Sequence, residues 1–264
     1  MSVTYILFIF IRNITLTNDV VCVWVGDKYS EDYVTNLYEG VAAHTTYDFR
    51  FNVITDKPEI AKKIPCRVIP IPNWKELGIK IFDHRKAWWF KMCMFDPANA
   101  FGKNVLYMDL DVTIIRNIDK FFGHEPKKFS ILQDFNRQYI PDYHVSNSSI
   151  MRWNPKRFSG IWKDFDDSKR HNVAHFRGDQ DYLTAYFARK ENSKYKAWWP
   201  REWAMSWKWE LEKGGKRNNG TDRNSYIYPD KPFVIPPECA VVVCHGDPKP
   251  SDINKEIRAE WINN

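Results

Sequence analysis

The sequence lacks a cysteine framework. Its five cysteines, Cys22, Cys66, Cys93, Cys239 and Cys244, are odd in number, and no two stand in C-x-x-C spacing. That argues against structural zinc and against a disulfide-stapled fold. Cys22, Cys93 and Cys244 sit instead in apolar runs, where a thiol packs as a small hydrophobe. A reducing, cytoplasmic compartment is the expectation. Long apolar stretches are missing too. The run over residues 5–11 has seven residues, against the roughly 20 that a bilayer crossing needs, and no basic region precedes it as in a signal peptide. Residues 1–19 are read as an N-terminal extension or edge strand, with no transmembrane segment and at most a peripheral membrane contact. There is no internal repeat, low-complexity tract or linker-like stretch, which leaves residues 20–264 as one domain. Disorder is expected only at the two ends and over residues 214–224, where Gly, Lys, Arg and Asn cluster.

What is present suits an ordered globular chain. Its 264 residues are 44% apolar, enough for a sizeable core. The formal charge of +6 leans towards an anionic ligand such as phosphate, although interspersed signs make most of it a solvated surface. Twelve tryptophans include the groups Trp88-Trp89, Trp198-Trp199, and Trp203, Trp207 and Trp209. Flat rings pack on sugars and bases, and they also fill cores. For the last two groups the two uses are evenly matched.

The apolar pattern alternates between strands and helices. Strands are expected over residues 20–25, 49–54, 67–71 and 104–108. Helices are expected over residues 31–43, behind a Ser30 cap, and 85–95. Continuous apolar strands separated by helices imply an α/β fold with a mainly parallel central sheet flanked by helices. Ligands of such sheets sit at the carboxyl ends of the strands, here Gly26-Asp27, Thr55-Asp56 and Asp109-Leu110-Asp111. The second half is less regular, with strands expected at 130–133, 148–153 and 240–244 and helices at 155–166, 179–189 and 251–261.

Asp-x-Asp occurs three times, at Asp109 and Asp111, Asp164 and Asp166, and Asp179 and Asp181. Context separates them. Asp109-Leu110-Asp111 follows the buried-strand sequence Val105-Leu106-Tyr107-Met108, and residues i and i+2 of an extended chain point to one side. Two adjacent carboxylates at a strand end are costly unless a cation neutralises them. Hard oxygen donors suit Mn2+ or Mg2+, with phosphate oxygens and water in the other positions. Asp164 and Asp166 lie in an amphipathic helical stretch and read as a solvated face. His245-Gly246-Asp247-Pro248-Lys249-Pro250 follows an apolar strand. There a histidine such as His245 can complete a metal's ligand set, although His-Gly alone is also an ordinary strand-to-turn junction with a structural histidine; Gly246 allows a close backbone approach to phosphate, and Lys249 supplies a point charge.

The ordered set of segments resembles the metal-dependent nucleotide-sugar transferases of the GT-A fold, above all the glycogenin and lipopolysaccharide-galactosyltransferase group with its bacterial and viral relatives. The segments are Val25-Gly26-Asp27-Lys28-Tyr29, Val53-Ile54-Thr55-Asp56, Trp88-Trp89-Phe90-Lys91, Val105 to Asp111, Asn147-Ser148-Ser149-Ile150-Met151, Gly178-Asp179-Gln180-Asp181 and His245 to Pro250. One departure is Ser149, where the family often has Gly. The resemblance implies a GT-A (Rossmann-like) domain with nucleotide and acceptor lobes. It implies that Val25, Gly26, Asp27, Tyr29 and Asp56 hold the nucleoside and that Lys91 touches donor phosphate or ribose. Asp109 would contact ribose and metal, with Leu110 beside it, while Asp111 and His245 complete the metal site and Lys249 meets the diphosphate. Asn147, Ser148, Asp179 and Gln180 would line the transferred sugar, and Trp203, Ser206, Trp207 and Lys208 the acceptor wall.

The activity implied is transfer of a sugar from a UDP- or GDP-type donor to a glycan, lipid-linked sugar or other hydroxyl acceptor, with retention of configuration and without nucleic acid as partner. Gln180 is a poor nucleophile, so retention implies same-face attack by the acceptor; inversion would make Asp179 or Asp181 the base. Two other classes stay open on residues alone. A metal-dependent nucleotidyltransferase or nuclease also uses paired aspartates, and a non-catalytic sugar or single-stranded nucleic-acid binder would use the tryptophans and positive charge.

Overall fold

The structure is a computed structural model describing residues 18–81, 86–138, 140, 142–211, 235–251 and 253. The apolar run at 5–11, the Gly/Asn-rich stretch at 214–224, the start of the helix expected at 85–95 and nearly all of that expected at 251–261 lie outside these residues. Pro250, Ser251 and Ile253 are helical.

Ten strands are described: β1 (Asn18–Trp24), β2 (Arg50–Thr55), β3 (Arg67–Pro70), β4 (Asn104–Met108), β5 (Val112–Ile114), β6 (Phe129–Gln133), β7 (Ser146–Trp153), β8 (Lys196–Trp198), β9 (Ala204–Ser206) and β10 (Val241–Val243). The helices are α1 (Glu31–His44), α2 (Pro58–Ala61), α3 (Asp119–Gly123), α4 (Ser159–Asp167), α5 (Lys169–His175), α6 (Asp179–Ala188) and α7 (Lys190–Ser193). The larger sheet has the order β3-β2-β1-β4-β7-β6-β8. Its first four strands are parallel, β7 runs antiparallel to both β4 and β6, and β8 is parallel to β6. A second, three-stranded sheet has the order β5-β10-β9.

The larger sheet is covered on both faces, as its continuous apolar strands require. Along β1, Val20 and Cys22 point to one core with Val34, Leu37 and Val41 of α1, while Val21 points to another with Trp89, Phe90, Phe165 and Tyr182. β1 starts two residues earlier than the apolar pattern predicts because Asn18 and Asp19 pair with Asn104 and Val105. Asp19, fully buried, is held by Arg50 at 2.6 Å and by the Gly102 amide.

Some local expectations are corrected. Ser30 occupies the N-cap of α1 but makes no capping hydrogen bond; acidic Glu31 and Asp32 face the helix dipole instead. The segment expected as an α-helix to Phe95 is a 3-10 helix over Ala87–Phe95, buried almost all round, so packing sets its form. Asp164 and Asp166 are not simply solvated. Asp164 accepts from Tyr182 at 2.8 Å and from Arg189, and Asp166 pairs with Lys169. The tight link from Asp111 into β5 carries no turn signal, and β8 and β9 are three residues each, too short for a period to register.

Candidate active site

β4 ends where β7 begins, because the two are antiparallel. The Asp109 amide donates to the Ser149 carbonyl at 2.8 Å and continues the ladder beyond the strand. Asp109-Leu110-Asp111 and Asn147-Ser148 therefore share one rim, and the first residue of α6, Asp179, joins them.

Lys91 ties the rim together. Its ammonium lies 2.7 Å from Oδ1 of Asp109, 3.9 Å from Oδ2 of Asp179 and 3.3 Å from the Ser148 hydroxyl. Burial alone would discharge Lys91, but Asp109 and Asp179 outweigh it and hold its pKa above the ordinary lysine value. Lys91 is thus a buried ion-pair centre. Tyr107 also donates to Oδ1 of Asp109.

Asp111 is 7% exposed and accepts from the Tyr29 hydroxyl at 2.6 Å. Burial and the neighbouring Asp109 push its pKa up, against the Tyr29 hydrogen bond and the charges of Lys28 and Lys249. Lys249 stands 4.0 Å away. Asp179 is likewise raised, by burial above all, and its Oδ2 makes no hydrogen bond among the described residues. Both carboxyls face a cavity of about 790 Å³ that Trp88, Asn147, Ser148, Gln180, Asp181, His245 and Gly246 also line. A smaller recess of about 110 Å³ opens between Val25, Lys28, Tyr29, Trp88 and Leu110.

This architecture is that of solved glycosyltransferases. An active-site glutamine-to-glutamate mutant of LgtC matches with a TM-score of 0.60 at 14% identity, over 92% of this chain and 95% of that one. Galactosyltransferase LgtC in complex with donor and acceptor sugar analogs matches with a TM-score of 0.57 at 15% identity, over the same shares of 92% and 95%. The fold is GT-A. Apo glycosyltransferase GlyE of Streptococcus pneumoniae TIGR4 matches with a TM-score of 0.51 at 14% identity, over 73% of this chain and 47% of its own length. No family model matches the chain, and no curated protein matches it in sequence. The likeness is one of arrangement, and it is the fold that the ordered motifs lead one to expect.

Within this GT-A frame most of the expected site residues converge, and some do not. Asp56 turns from the main cavity to accept the Gly26 amide at 3.2 Å and borders a separate apolar hollow beside Trp74 and Phe90. Asp27 is exposed and lines neither recess. Asp181 pairs with Arg177 at 2.6 Å. Trp203 and Trp207 are not an open wall. Trp207 is 2% exposed, and Trp203 packs on Phe121, Trp199 and His124. Trp199 is buried with its indole N–H on the Ile150 carbonyl. These large rings fill the core. Lys208 reaches the Gly246 backbone, where an added Cβ would stand 3.4 Å from its ammonium.

The expected three-ligand set is not assembled. Among the described residues no three His, Cys, Asp or Glu side chains stand together as a metal cage. His245 is turned onto Ser206 and stacked at 5.1 Å on Phe135. Burial, then Lys208 and Lys249, push its pKa down to about 4, so at neutral pH it carries a lone pair. The pair Asp109 and Asp111, hard donors with the second above the usual carboxylate range, suits a divalent cation. Trp88 and Lys28, which stand in the matching segments without a site role of their own there, line both recesses. Trp88 and Lys91 stand three residues apart and share a face of this 3-10 helix, as they would on an α-helix.

Proposed function

We propose that this chain transfers a sugar from a UDP- or GDP-type nucleotide sugar to a hydroxyl of a glycan or lipid-linked acceptor, using Mn2+ or Mg2+. One observation carries the reading. Asp109 and Asp111, either side of Leu110, enter the same cavity as Asn147 and Asp179, and Lys91 links Asp109 to Asp179. The diphosphate end and the sugar end of a donor thus have adjoining sets of groups at the carboxyl rim of a GT-A sheet. Galactosyltransferase LgtC, a protein of the same fold, has been solved in complex with donor and acceptor sugar analogs, which supports sugar transfer as the reading.

The hard step is departure of the nucleoside diphosphate. Asp109 and Asp111 are the residues that would hold a divalent cation, which would supply positive charge against the leaving phosphate. Lys91 and Lys249 add fixed charge near the same aspartates, and removing one such contact costs about 3 kcal/mol. Asp179, through Oδ2, which makes no hydrogen bond among the described residues, accepts a sugar hydroxyl. The amide of Gln180 is a poor nucleophile, so attack by the acceptor hydroxyl on the face the diphosphate leaves is the proposed course, with retention. Among the described residues no helix is long and apolar enough to cross a membrane, and no disulfide links the five cysteines. Both fit the cytoplasmic placement and peripheral contact we propose.

Thermal-shift and hydrolysis assays with UDP- and GDP-sugars, with and without Mn2+, test the reading. A metal-dependent rise in melting temperature with release of UDP or GDP is expected, because a ligand of the folded state stabilises it. No shift and no release across the panel would overturn it.

A further inference from the structure

The chain buries Trp89, Trp153, Trp199 and Trp207, yet leaves Trp88 46% exposed. Leaving an indole in water forgoes the large gain of burying it. Trp88 is also the member of its pair that faces chemistry. It stands one 3-10 turn before Lys91 and lines both recesses: the smaller with Val25 and Tyr29, the larger with Asn147 and Asp179.

Its seat is specific. A Cβ on Gly178 would come within 3.2 Å of Cε3 and 3.7 Å of Cβ of Trp88, so the indole lies directly against the backbone that leads into Asp179. Around this apolar plate stand Lys91, Asn147 and Asp179, whose Oδ2 makes no hydrogen bond among the described residues. A pyranose has a C–H face that packs on a flat ring and a rim of hydroxyls that needs donors and acceptors. A plate beside convergent polar groups is complementary to it.

We propose that Trp88 is the platform for the pyranose ring of the donor, with Gly178 keeping its seat open. The inference rests on the nucleotide-sugar reading above and adds the group that grips the transferred sugar itself, separately from the diphosphate. A ring serving the nucleobase instead would affect free nucleotide and nucleotide sugar alike.

That difference is the test. Calorimetric titrations in Mn2+ compare UDP-glucose, UDP-galactose and GDP-mannose with free UDP or GDP, on the wild type, Trp88→Ala and Trp88→Phe, with circular dichroism to confirm folding. Trp88→Ala is expected to weaken the preferred nucleotide sugar about tenfold while the free diphosphate stays within about twofold, a stacking loss of ordinary size. Trp88→Phe keeps most of the affinity. Gly178→Ala, which crowds the indole, moves the same ratio in the same direction. Equal losses for sugar-bearing and free nucleotide, or no loss in Trp88→Ala, would overturn the platform while leaving the transferase reading intact. A wild type that binds no nucleotide at all would remove both.

Discussion

The Ser206 hydroxyl lies 2.7 Å from Nε2 of His245 and fixes that ring from the neighbouring parallel strand. Ser206 is fully buried. Its amide donates to Glu210 at 3.0 Å, its oxygen accepts the Trp209 amide at 3.2 Å, and Glu210 is held at 3.1 Å by Arg137. A residue that the family likeness sends to the acceptor wall is a tether for the imidazole. In Ser206→Ala the ring loses that anchor. With the ring unanchored beside Asp111, Mn2+ affinity measured by electron paramagnetic resonance with UDP present should fall by about tenfold, and stability by about 1 to 3 kcal/mol, because the buried imidazole and the Trp209 amide each lose a partner. Unaltered Mn2+ affinity would separate Ser206 from the site.

Asp111→Asn should abolish metal-dependent donor turnover and leave the fold in place. The substitution removes a buried charge that is already disfavoured by burial and by Asp109, so the melting temperature should hold or rise. A rate loss of at least about a hundredfold is expected. Wild-type turnover in the variant would remove the central assignment.

Gly26 turns the chain out of β1 at φ +74°, and a Cβ there would come 2.7 Å from the Ile81 carbonyl oxygen. Gly26→Ala meets both the left-handed backbone and the clash, and should cost about 1 to 3 kcal/mol in urea unfolding. An alanine variant as stable as the wild type would show that the turn relaxes freely.

Lys196 on β8 stacks on Trp198 at 3.8 Å, and burial pushes its pKa down to about 8. An unfolded lysine keeps its proton to about pH 10. Between those values the unfolded chain binds more protons than the folded one, so this group makes stability rise with pH through that window. Lys196→Met should flatten the rise and add stability at neutral pH. Denaturant unfolding of both proteins across the window checks it; parallel curves would contradict the shift.

What the sequence reveals and hides follows from range. β1, β2 and β4 were legible because both of their faces are buried, and Asp109 and Asp111 because a strand must end before them. Lys91 was placed through likeness, since nothing local distinguishes a lysine on a helix from one sealed between two aspartates. Trp203 and Trp207 misled because a core indole and a sugar-binding indole have the same letter, and only Phe121, Trp199 and His124 around the first decide between them. The His245 to Ser206 contact spans 39 residues of sequence, beyond any periodicity.

The Cys244 amide donates to the Asp111 carbonyl at 2.8 Å, closing the β5-β10 ladder one rung past Val112 and Val243. Asp111 and the residue before His245 are therefore cross-linked through main chain, whatever side chains stand around them. The span between these two positions behaves as a fixed gauge. Relatives that exchange the surrounding walls to take new acceptors would leave it undisturbed, whereas a single inserted or deleted residue in β5 or β10 would reset it.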